Sequence, residues 1–175
     1  RGDLDEAVER LVPIVELASA VGWTIRVSLL APEVTRMAWL RRDDGVVSRM
    51  TDLSAACAST GTVEAEAALL RCRGMSGDDP ALLSEAADRY ASIGSVVQAG
   101  SALAEGALVA ARAGDHDLAV QLFESGARRQ LEPVGALGVL ERTSRSLPVR
   151  VRRRLGRSAP RPRTDDRPGP AGRAA

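Results

Sequence analysis

The chain contains no lysine and no asparagine; all 24 of its basic residues are arginine. A phosphate-binding Walker A loop needs a lysine amine on the phosphates, and Schiff-base chemistry needs one on a carbonyl. Neither can be built from these residues. Aromatic side chains make up 2% of the chain: two Trp, one Tyr and one Phe. The single histidine is His116, so any nucleophile–base pair would have to use it, and no G-x-S-x-G elbow accompanies it. No apolar run approaches the roughly 18 residues of a membrane-spanning helix, and no signal peptide is visible. These absences leave a non-catalytic chain without cofactor as the expectation, cytoplasmic by default. The scarcity of residues with AT-rich codons fits a high-GC genome.

What the chain does have is alanine, and with it helices. Apolar residues are 45% of 175 positions, ordinary for one folded domain or part of a longer chain. The first residue is Arg1 rather than Met, which reads as a fragment or a processed end. Val, Thr and Ile are scattered without alternation, so no strand pair is expected. The stretch from Val63 to Gly94 carries the clearest pattern. Ala65, Ala68/Leu69, Cys72 and Met75 recur at three- and four-residue spacing, then Leu83, Ala86/Ala87, Tyr90 and Ile93 do the same. Between them Asp79 stands as an N-cap with Pro80 at the first helical position, and Gly94 closes the second helix. Neither helix can bury its stripe alone, so the two form a hairpin.

Similar punctuation runs along the chain. GDLDEAV at 2–8 aligns with GDHDLAV at 114–120, and turn glycines recur at Gly45 and Gly77. SAVG, ASTG, ASIG and PVG close successive units at Gly22, Gly61, Gly94 and Gly135. Two helices per unit, at a period in the thirties to low forties, predict a helical solenoid of the tetratricopeptide kind. The expected fold is therefore all-α: antiparallel hairpins over about 23–61, 62–94 and 95–135, preceded by an orphan helix at 3–21. The missing partner of that orphan should leave an apolar flank bare. Pro13 is expected to kink or split the first helix, and Pro32 to start a new one. Ala136 to Leu147 reads as a last, weaker helix closing a domain of residues 1–147. Residues 148–175, rich in Arg, Pro and Gly, read as a disordered tail or linker, with disorder expected from Arg157 onwards.

Charge divides the same way. Residues 1–141 hold 13 arginines against 21 acids, a balance of −8, and residues 142–175 hold 11 against two, a balance of +9. Arg150, Arg152, Arg153 and Arg154 are weak candidates for phosphate contacts, with no interleaved aromatic for base stacking. An equal reading draws this basic tail onto the acidic body. Cys57 and Cys72, among apolar neighbours and at no metal or redox spacing, read as buried free thiols. His116 between Asp115 and Asp117 is a weak metal candidate, and more simply a solvated helix start. Asp78 and Asp79 read as capping residues. The candidate interaction surface lies off the apolar stripes of the first helices: Arg36, Arg71, Arg73, Gln98 and Glu105. Trp39, with Trp23, is noted as a contact point if it is exposed.

Three motifs in order carry a family resemblance. They are LRCRGMSGDDPALL at 70–83, ADRYASIG at 87–94 and SALAEGALVAARAGDHDLAV at 101–120, with LLAPEVTRMAWLRRDD at 29–44 before them. Over about residues 1–150 the chain resembles the C-terminal helical-repeat region of large actinobacterial LuxR-type transcriptional regulators. The resemblance implies a segment between a nucleotide-binding domain and a DNA-binding helix-turn-helix, with 148–175 as the linker. Neither a Walker motif nor a helix-turn-helix is present here, so ATP and DNA binding are implied for a parent protein only. The expected partners are flanking domains or another protein, reached through signal relay; a stand-alone adaptor that binds a peptide is the alternative.

Overall fold

Helix caps fall where the turn residues predict them. The protein was analysed as a computed structural model that describes residues 2–158, and the described residues form nine helices and no strand. They are α1 (Gly2–Ala20), α2 (Thr24–Arg41), α3 (Asp44–Ala58), α4 (Val63–Ser76), α5 (Pro80–Ser92) and α6 (Val96–Arg112). α7 begins as His116–Gln121, widens into a π-helical Leu122–Arg128 and closes at Arg129–Leu131; α8 (Leu137–Ser146) and α9 (Val149–Ser158) follow. Asp43, Thr62, Asp79 and Asp115 each accept a hydrogen bond from the first-turn backbone of α3, α4, α5 and α7. Such a cap is worth on the order of 1 kcal/mol. Gly61 and Gly94 end their units at φ +72° and +74°, a left-handed turn that a Cβ would strain.

The three expected hairpins are present as α2/α3, α4/α5 and α6/α7. Each second helix also leans on the first helix of the next pair, α3 on α4 and α5 on α6. The first helices form a row of their own, with α2 touching α4, α4 touching α6, and α6 touching α8. The close approaches need small residues. A Cβ on Gly74 would stand 2.6 Å from Leu83, and one on Gly100 would stand 2.5 Å from Leu131. The core divides into an N-terminal cluster around Val15, Val34 and Met50, a C-terminal one around Val109, Phe123 and Leu131, and an alanine-lined pocket around Tyr90.

Four expectations are corrected. Pro13 does not split α1, and Pro32 does not start a helix: α2 runs unbroken from Thr24 to Arg41. Proline removes one N–H, leaving the Ser28 carbonyl without its helical donor, but a buried face of Val27, Ala31, Val34 and Ala38 holds the helix together across the gap. The body does not end at residue 147. Val151 and Leu155, four apart on α9, are buried in the C-terminal core, and α9 lies against the start of α7. Two apolar residues at helical spacing outweigh the arginines around them, so the tail begins later than composition suggests. The disorder expected from Arg157 onwards falls largely on 159–175, which lie outside the described residues. The middle turns of α7 are π-helical. Asp78 does not cap α5; it accepts from Trp39 Nε1 at 2.9 Å.

The bare flank expected at the N-terminal end is there. Ile14, Leu17 and Val21 of α1 stand exposed beside Trp23 and Ile25, while Val8, Val15 and Ala18 on the opposite side of α1 are buried.

Candidate functional site

α4 is surrounded by α2, α3, α5 and α6, so almost no side of it faces water. That placement decides the fate of Arg71. Read as off the stripe, it was expected on a solvated face; it is 2% exposed. Its guanidinium grips Glu105 of α6 by two hydrogen bonds, Nε to Oε2 at 2.6 Å and Nη2 to Oε1 at 2.5 Å. Nη2 also donates to Glu33 Oε1 of α2 at 2.6 Å. Arg36, one turn further along α2, donates from Nε to Glu33 Oε2 at 3.3 Å and lies 3.8 Å from Glu105 Oε1. Three consecutive first helices are thus tied by one arginine. Glu105 is buried too, at 3% exposure, which corrects its expected position at the surface.

The electrostatics follow from burial set against pairing. Burial disfavours a charged Arg71, but the carboxylates of Glu105 and Glu33 outweigh it and hold the guanidinium protonated above its ordinary value. Burial also opposes ionisation of Glu33, yet Arg71 and Arg36 overcome it and bring its carboxyl to about 2. For Glu105 burial wins in part, leaving it above the usual carboxylate range despite Arg71. Tyr90, also close to Arg71, is pushed up to about 12 by burial. The Cys72 thiol is raised by burial and lies within 3.4 Å of the Ser54 and Thr35 hydroxyls. Both cysteines are free and buried, as their apolar neighbours imply.

Above this ion cluster opens a cleft of about 140 Å³. Glu33, Arg36, Arg71 and Glu105 form its floor, and Ser101 and Thr143 stand beside them. Val97, Ala104 and Val139 supply apolar wall, and Arg142 of α8 completes the lip. Four first helices, α2, α4, α6 and α8, therefore contribute to one cleft.

The remaining candidates separate from it. Arg73 is exposed on α4, and Gln98 is half-buried, accepting from Ser95 Oγ at 3.2 Å; neither lines the cleft. Trp39 is 7% exposed, so it is no bare contact point. Its ring is covered by the Arg112 guanidinium at 3.5 Å from the centroid, and its Nε1–H is taken by Asp78. The exposed tryptophan is Trp23, beside an open hollow of about 470 Å³ at the N-terminal edge. His116, Asp115 and Asp117 do not converge: Asp115 caps α7, and Asp117 pairs with Arg154. Among the described residues no three His, Cys, Asp or Glu side chains are grouped to hold a metal ion, and no helix is long and apolar enough to cross a membrane. Arg150, Arg152 and Arg153 lie exposed on α9.

Sequence reasoning named Arg36, Arg71 and Glu105 but not their union, and it missed Glu33, Ser101, Arg142 and Thr143. A signal was present. Glu33 and Arg71 are 38 residues apart, and Arg71 and Glu105 are 34 apart, each within the repeat period. Opposite charges at similar depths along neighbouring first helices are placed to meet.

Comparison of the chain with protein-family models, with curated proteins and with solved structures returns no match.

Proposed function

We propose that this chain is a non-catalytic helical-repeat segment that works by contact, its array read as a tetratricopeptide-like solenoid. The row of first helices receives a protein partner or a flanking domain. Under the LuxR-type resemblance this contact relays a signal between domains on either side, in the cytoplasm. The observation that carries the reading is the shared cleft: helices from four successive units converge on one polar floor, and Arg71 ties three of them. A ligand in that cleft touches α2, α6 and α8 at once, so binding changes how the units sit against one another.

A photo-crosslinking amino acid tests this. Placed at Val97 in the cleft, it is expected to capture a protein, or a flanking domain of the same reading frame, in extracts of the source cell. Placed at Asp52, exposed on α3 outside the row, it should not. Equal labelling from both positions, or none from Val97, overturns the proposal. The reading frame on either side decides between relay and adaptor: a nucleotide-binding motif upstream or a helix-turn-helix downstream supports relay, and neither favours the adaptor.

A further inference from the structure

The cleft has spent its acceptors and kept its donors. Both oxygens of Glu105 are taken by Arg71, and the two oxygens of Glu33 are taken by Arg71 and Arg36. Arg36 commits only Nε, so both of its Nη groups are uncommitted. The Arg142 side chain, on the lip, has no ion-pair or hydrogen-bond partner among the described residues. Ser101 and Thr143 are each 7% exposed, border the cleft, and make no side-chain hydrogen bond. Charge tells the same story. Two carboxylates are neutralised by Arg71 and Arg36, and Arg142 is one cation in excess.

From this we infer that the cleft is a carboxylate subsite for an acidic peptide segment of a partner protein. The carboxylate of an Asp or Glu side chain sits between Arg36 and Arg142 and accepts from Ser101 and Thr143. An apolar neighbour in the same peptide lies on Val97 and Val139. Charge-assisted bonds from guanidinium to carboxylate are the stronger class and supply direction. A cleft of about 140 Å³ admits one side chain rather than a folded element. This inference rests on the contact reading above and names the chemistry of what makes the contact.

The test uses the full chain and a displayed library of random heptapeptides fused at their C-termini, so that no terminal carboxylate is free. Recovered peptides are expected to be enriched in Asp and Glu next to an apolar residue. The affinity of a recovered peptide should fall at least tenfold in Arg142→Glu and when its acid is replaced by the matching amide. Arg142 is exposed, so the substitution leaves the fold intact, which circular dichroism checks. Arg153→Glu, on the basic face of α9, should change nothing. The inference is overturned if recovered peptides show no acidic enrichment, if Arg142→Glu binds them as well as the parent does, or if Arg153→Glu alone abolishes binding. Crosslinking from Val97 without acidic enrichment would sink the subsite and leave the contact reading standing.

Discussion

The floor of the cleft and the N-terminal edge are both unlike a plain helical core, and they depart from it in opposite ways. At the floor, charge is buried and paired: Arg71 and Glu105 are almost fully enclosed. At the edge, apolar surface is exposed and unpaired: Leu17, Trp23 and Ile25 each show more than half their area to solvent. The last described helix sharpens the contrast, because α9 turns Val151 and Leu155 inward and arginines outward. The floor is built by its own chain and is specific. The edge is an uncovered face whose residues contribute little to the fold that displays them.

If that contrast is sound, the largest effect belongs to the floor. Arg71→Met leaves Glu105 buried without its cation, which typically costs about 3–5 kcal/mol in such pairs. Equilibrium urea unfolding is expected to show a loss of that size. Adding Glu105→Met should recover most of it, since a well-packed apolar pair replaces a buried ion pair at little cost. A single-variant loss under about 1 kcal/mol would mean the floor is not closed to water.

The second effect is smaller and depends on pH. Glu33 is held near 2, below its unfolded value of 4.5. A carboxyl whose folded value is depressed contributes stability above the unfolded value and loses it as pH falls through the folded one. The window is therefore pH 4.5 down to 2. The Glu33 side chain remains 39% exposed, and solvent screening holds its share to on the order of 1 kcal/mol. Glu33→Gln is expected to flatten the acid limb of the stability curve across that window. An unchanged limb would place the acid sensitivity elsewhere.

The fold was legible in the sequence because the residues that make it act locally. Asp79 with Pro80 caps one helix, Gly94 ends it, and stripes such as Leu83, Ala86/Ala87 and Tyr90 keep their spacing whatever they pack against. Arg71 was misplaced for the reverse reason. Its burial is decided by how many helices surround α4, and no stripe on α4 records that number. Pro32 misled because the face of α2 that overrides it is completed by α3 and α4, which lie farther along the chain. Val151 and Leu155 were hidden by composition: a window dominated by Arg conceals two residues that matter only once α7 is in place.

The smallest expected effect falls on the edge, where its size carries the information. Leu17→Ser and Trp23→Ser remove large side chains that are already solvated, so folding stability should move by no more than about 0.5 kcal/mol. Val15→Ala, two residues from Leu17 but on the buried side of α1, should cost about 1–3 kcal/mol through lost contacts and the cavity left behind. Light scattering over a range of protein concentrations gives the complementary reading. An uncovered apolar face favours association, so the two serine variants should aggregate less than the parent while unfolding at the same urea concentration. If they instead unfold early, Leu17 and Trp23 hold the fold together, and the N-terminal edge is a continuation of the core with nothing left to offer a partner.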